Sequence, residues 1–103
     1  MSNIPICNIT SSIDMDVGPY CSYVCLSVDC SGGNINIYIT DQGCFEGYSF
    51  DIIRVDNSTN TLTLTPKTYT IKNGQTSLSV AHNQSVCLIF NGGDWNAPVY
   101  TFI

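Results

Sequence analysis

The sequence predicts an all-β fold: an antiparallel sandwich or jelly-roll-like domain of about eight short strands joined by hairpins. Three observations predict it. Apolar residues recur with period two, and no window keeps the i, i+3, i+4, i+7 spacing of a helix. Clusters rich in Gly, Asn and Asp interrupt the alternation roughly every ten residues, as turns do in sandwiches and barrels. The stretches flanking these clusters can be paired in registers that put their apolar side chains on one face.

The chain has 103 residues, the size of one domain, so residues 1–103 are read as a single β unit. Residues 1–18 read as an extended arm or edge segment of that unit. Both ends are apolar (Ile4, Ile6 and Ile9 at one, VYTFI at the other), whereas chain ends are ordinarily polar unless tied down. In residues 21–30, CSYVCLSVDC, alternation points Val24, Leu26, Val28 and Cys30 one way and Cys21, Tyr23, Cys25 and Ser27 the other. A two-residue turn at Gly32-Gly33 then sets Cys30 opposite Ile35, Val28 opposite Ile37 and Leu26 opposite Ile39. The DNSTN break sets Val55 opposite Leu62 and Ile53 opposite Leu64. Asn73-Gly74 is a strong hairpin signal and sets Ile71 opposite Thr76. Gly92-Gly93 sets Phe90 opposite Trp95, Leu88 opposite Ala97 and Val86 opposite Val99. The turn-defining glycines are therefore Gly32, Gly33, Gly74, Gly92 and Gly93.

Charge excludes some functions. Only 11% of residues are charged and the net charge is −5. The bases are Arg54, Lys67 and Lys72, too few to replace the counterions of a nucleic acid or to hold an anionic membrane surface. No run approaches the ~20 apolar residues of a membrane-spanning helix. The start, MSNIPICNIT, lacks a basic region followed by an apolar core, so synthesis in the cytosol is expected. The triplets at Asn8, Asn57 and Asn83 are accordingly expected to stay unmodified.

Six cysteines stand at 7, 21, 25, 30, 44 and 87. On a straight strand Cys21 and Cys25 lie about 13 Å apart, too far for a disulfide or a shared zinc. With no C-x-x-C and one histidine, no metal site is expected. Buried free thiols are one reading. One or more disulfides involving Cys7, Cys21 or Cys44 is the other.

No catalytic constellation is legible. His82 lies in a polar turn without a nucleophile and an orienting acid nearby. The acids are scattered. Asp14 and Asp16 share a face of an extended segment but lack the D-x-D-x-D-G pattern of a calcium loop. No catalytic, cofactor-binding or metal-binding residue is assigned, and no cofactor is expected. The aromatics are the surface candidates: Tyr20, Tyr23, Tyr38, Tyr100 and Phe102 suit an oligomer interface or contact with a glycan. Tyr48 and Tyr69 are further surface candidates, and Trp95 is expected to pack on Phe90 inside.

Residues 52–95 read IIRVDNSTNTLTLTPKTYTIKNGQTSLSVAHNQSVCLIFNGGDW. A strand ending in Val55-Asp56, the alternating Thr61–Pro66 segment, Thr70-Ile71-Lys72-Asn73-Gly74, Thr76–Val80, Ser85–Ile89 and Asn91–Trp95 follow in order. This pattern resembles the β-rich head or decoration module of bacteriophage tail-fibre and other virion structural proteins. The resemblance implies a non-enzymatic capsid-decoration, spike or fibre-head protein in the virion. It would be a homo-oligomer, a trimer above all, contacting other virion proteins and host glycans. A lectin-like carbohydrate-binding domain using exposed tyrosines is the alternative expectation.

Overall fold

The structure, a computed structural model, describes residues 6–16 and 25–102. Strands account for all the regular structure there: β1 (Ile6–Ile9), β2 (Ile13–Asp16), β3 (Cys25–Val28), β4 (Ile35–Thr40), β5 (Ser49–Arg54), β6 (Leu62–Pro66), β7 (Thr70–Ile71), β8 (Leu78–Val80), β9 (Gln84–Asn91), β10 (Asp94–Asn96) and β11 (Val99–Thr101). The all-β expectation holds.

The connectivity does not. β1 pairs with β3 and β3 with β5, all parallel, in one sheet. β2 pairs with β4 and β4 with β6, all parallel, in the other. The chain changes sheet at every break and returns one strand further along, which makes a two-sheeted β-solenoid and not a hairpin-built sandwich or jelly roll. An antiparallel segment then closes one end. β8 folds back on β6 and β9 on β5. β10 and β11 both pair with the far edge of β9, and β7 lies parallel to β10.

Two expected hairpins are therefore solenoid corners. Cys30 and Ile35 are both buried, but they face one another's sheets across the core instead of pairing. Val55 does not meet Leu62. Leu62 pairs with Ile35 on one side and Val80 on the other. Gly92-Gly93 is a hairpin turn as expected, with φ of +63° and +85° and Phe90 opposite Trp95. The Asn73-Gly74 turn exists with a different register. Ile71 and Gln75 exchange backbone hydrogen bonds of 2.9 and 2.8 Å, and Lys72, Asn73 and Gly74 all have positive φ between them.

Polar side chains at the corners explain why stacking wins over hairpins. A hairpin and a corner place the same alternating residues inward. They differ in which backbone takes up the N–H and C=O groups of the turn, and those groups must be satisfied somewhere. Here they bond to the next coil. The Asn34 side chain accepts from Thr61 N at 2.8 Å, and the Ser12 hydroxyl accepts from Asn36 N at 2.9 Å. Backbone bonds of 2.9 Å run from Asp29 N to Ile9 O, Val55 N to Val28 O and Ile35 N to Thr61 O.

The inner faces meet in one core that includes Leu26, Val28, Ile37, Ile39, Ile52, Leu62, Leu64 and Val86. Fully burying each such side chain contributes roughly 1.5–3 kcal/mol before entropy is counted. Beneath the antiparallel cap the filling is aromatic. The Trp95 ring lies 5.6 Å from Phe50 and 5.2 Å from Phe90, in tilted or edge-on arrangements. Its indole N–H reaches the buried Asp41 carboxylate at 3.0 Å, and Asp41 also accepts from Thr68 N and Tyr69 N. Asp41 thus ties the second coil to the third and to the cap.

Candidate functional site

A two-sheet solenoid offers a ligand or partner its outer faces and its corners. Alternation assigns the outer residues. On β2, β4, β6 and β8 they are Asp14 and Asp16; Asn36, Tyr38 and Thr40; Thr63 and Thr65; and Ser79. In register, Asp14, Tyr38 and Thr65 form one row across three strands, and Asn36, Thr63 and Ser79 form another. Lys67 reaches back over β4 to Asp14, Nζ to Oδ2 3.1 Å, and both partners are exposed. A shallow depression of about 340 Å³ lies beside the Tyr38 ring, lined by Ser12, Ile13, Asp14 and Tyr38. This face is hydroxyl, amide, carboxylate and one aromatic ring.

The opposite outer face is different. Ile53 on β5 and Tyr100 on β11 flank Ser85 of β9, one register partner on each side. Val55 stands two residues beyond Ile53 on the same side. Phe102 stands two beyond Tyr100, its N–H bonded to Asn83 O at 2.8 Å. Val55, Tyr100 and Phe102 are 58, 62 and 45% exposed. Next to this patch Cys25, Asp51 and Cys87 form a single cross-strand row. Burial, then the hydrogen bond and charge of Asp51, push the Cys87 thiol up to about 11. Burial with Asp51 raises Cys25 as well.

The third feature is a corner. Arg54 is buried, with Nε and Nη2 on the two oxygens of Asp56 at 3.0 and 3.1 Å. Nη1 donates to Val80 O at 2.9 Å, and Nη2 also to Asn60 O at 2.6 Å. Asp56 further accepts from Cys30 N and Ser58 N. The Arg54 guanidinium holds the Asp56 carboxyl far below the usual carboxylate range. A pocket of about 290 Å³ opens beside Arg54, walled by Leu62, Val80 and Ala81 and edged by His82. Every guanidinium nitrogen has a protein partner, so the corner is a structural clamp joining two coils and the cap.

Of the sequence candidates, Tyr38 lies on one outer face and Tyr100 and Phe102 on the other, so they do not form a common row. Tyr20, Tyr23 and Cys21 lie outside the described residues. Cys7 is an exposed free thiol, Cys25 and Cys87 are half-buried free thiols and Cys30 a buried one, while Cys44 is half-buried with its Sγ 3.7 Å from Phe45 O. Trp95 is buried against Phe90, and Tyr48 and Tyr69 are half-buried beside this aromatic group. Gly32 and Gly33 shape a corner rather than a hairpin, with Gly33 N on Cys30 O at 3.1 Å. Asp14 and Asp16 do share an outer face, and Asp14 is paired with Lys67. Among the described residues no group of three or more His, Cys, Asp or Glu is placed to hold a metal ion. Sequence reasoning missed Arg54, Asp56, Asp41 and Lys67. The R-V-D spacing of Arg54 and Asp56 was the available signal, since i and i+2 residues point to one side of a strand.

Protein-family models and curated proteins were both compared with the chain, and none matches it.

Proposed function

We propose that this chain is a non-enzymatic virion structural protein, a spike, fibre-head or capsid-decoration subunit, that self-assembles through the outer face of its β3-β5-β9-β11 sheet. The observation that carries the reading is the cluster of Ile53, Val55, Tyr100 and Phe102 on that face. Scattered exposed apolar residues are ordinary, whereas apolar side chains lined up along both flanks of one strand, β9, mark a contact surface. Among the described residues the second sheet's outer side carries no such cluster, so assembly through one face leaves the other to solvent.

Two further points support the reading. Low charge suits a subunit whose surface is largely covered, because interface centres are depleted in charged residues and enriched in aromatics. The segment that resembles virion head modules, residues 52–95, supplies the second half of β5, all of β6 and most of the closing cap. That resemblance makes a trimer the expected oligomer, with other virion proteins as neighbours.

The test is the mass in solution by light scattering over a range of concentrations. A constant mass near three times 11.2 kDa is expected. Val55→Asp with Tyr100→Asp is expected to give monomers that still unfold in one cooperative step, at a lower midpoint because the stabilisation by assembly is gone, since truncating a central aromatic anchor costs about 2 kcal/mol or more per interface. A wild-type protein that is monomeric at every concentration would sink the reading.

A further inference from the structure

The depression beside Tyr38 lies on the face that the assembly reading leaves free, and its chemistry is specific. The Tyr38 ring is 38% exposed and stands between Asp14 and Thr65 in the register. The Asp14–Lys67 ion pair is open to solvent on both sides and keeps unused capacity: further lone pairs on the carboxylate and further N–H groups on the ammonium. The Ser12 hydroxyl accepts from Asn36 N and retains its own proton to donate. An aromatic ring, an acceptor and a donor thus line one shallow hollow of about 340 Å³ together with Ile13, near the lower end of small-ligand sites, and the Lys67 ammonium stands next to it through its bond to Asp14.

Other ligand classes fit poorly. A nucleic acid needs several cations, and here the one ammonium is offset by Asp14 and accompanied by Asp16. An anionic membrane needs the same. A protein partner needs an apolar centre, and the rows around Tyr38 are Thr, Asn and Ser. A sugar needs a flat ring for its C–H face together with mixed donors and acceptors for its hydroxyls.

We propose that this hollow is a carbohydrate subsite, in which Tyr38 stacks on the C–H face of a pyranose while Asp14, Lys67 and Ser12 take its hydroxyl groups. The ion pair also aligns the site. Lys67 follows β6 and Asp14 lies on β2, so their contact crosses β4 and holds the Asp14 carboxylate, the register partner of Tyr38, in place. A neutral sugar is favoured over a sialylated one, because the chain's net charge of −5 repels a second anion.

The experiment is a printed array of neutral and sialylated oligosaccharides probed with the whole protein, followed by titration of the retained sugar. Retention of at least one neutral oligosaccharide is expected. Tyr38→Ala should weaken it about tenfold or more, the effect of truncating an aromatic anchor, while Tyr38→Trp keeps it. Saturation-transfer NMR on the wild-type protein is expected to mark the sugar's C–H protons as its closest contact. That measurement decides the matter even if Tyr38→Ala does not fold. No retained oligosaccharide, or binding unchanged in folded Tyr38→Ala, would overturn the proposal. Neither result depends on the oligomeric state, which light scattering reports separately.

Discussion

Removing the Asp56 carboxylate tests whether the corner clamp holds the solenoid to its cap. In Asp56→Ala, Arg54 keeps its bonds to the Val80 and Asn60 carbonyls but loses both contacts to the carboxylate. The Cys30 and Ser58 N–H groups lose their acceptor as well. Breaking a buried ion pair from one side costs about 3–5 kcal/mol, because a desolvated charge is left unmatched. Each orphaned N–H adds roughly 1–3 kcal/mol unless water enters, and the exposed neighbours Val55, Asn57 and Thr59 let some water in. A loss of about 4 kcal/mol is therefore expected, a large share of the ~5–15 kcal/mol of a typical domain. Asp56→Asn keeps one acceptor and should lose about 2 kcal/mol, the scale of a hydrogen bond to a charged group.

The assay is equilibrium urea denaturation at pH 7, followed by the fluorescence of Trp95, the single tryptophan and fully buried. In the double variant Arg54→Met, Asp56→Ala no charge is left buried at this corner. Its loss should fall short of the sum of the single losses by about 1–2 kcal/mol or more. Asp56→Ala within about 1 kcal/mol of wild type, or strictly additive losses, would refute the clamp.

Two more outcomes follow from the charges and thiols. Asp56 and Asp94 are both held below the ordinary carboxylate range, Asp56 chiefly by Arg54 and Asp94 chiefly by the Thr70 hydroxyl. Their contribution to stability is complete above the unfolded value near ~4 and is lost as pH falls through the lower folded values. Urea midpoints should therefore be level from pH 7 to about 5 and fall below, with a shallower fall in Asp56→Asn; a level profile down to about pH 3 would contradict this. Peptide-level mass spectrometry after brief alkylation near pH 8 should find Cys7 labelled first, being exposed, and Cys30 and Cys87 last, since burial raises both thiols. Rapid labelling of Cys87 in the folded protein would contradict its placement.

Alternation in the sequence identified what points inward. Leu26, Val28, Cys30, Ile35, Ile37 and Ile39 are all buried, as the period-two pattern requires. It did not identify partners, for a definite reason. The register argument at Gly32-Gly33 asks only that both strands turn apolar residues to one core, and strands in opposite sheets meet that condition as well as strands in one hairpin. A solenoid announces itself by repeats, and here the signal is short: V-D-x-S stands at 28–31 and again at 55–58, at the same offset that pairs Ile35 with Leu62. Hairpins were read correctly where backbone geometry is local, as at Gly92-Gly93. At Asn73-Gly74 the register shifted because Lys72 also adopts positive φ. The Asp94 carboxylate accepts from Asn73 N and Gly74 N and stabilises that conformation. The site was legible only in part. Tyr38, Tyr100 and Phe102 stood out as surface aromatics, but their division between two faces depends on a topology that alternation leaves open.

The way β9 is held has a mechanical consequence. It is bonded along both edges, to β5 on one side and to β10 and β11 on the other, whereas β1 is bonded to β3 along one edge alone in the described sheet. Tension applied at the amino-terminal end of the solenoid meets the coils one after another and peels them in small steps. Tension that reaches the cap must shear two ladders of β9 together. A subunit tethered by its closed end would carry load as a rigid block, and the same subunit pulled from its first coil would lengthen gradually and act as a shock absorber.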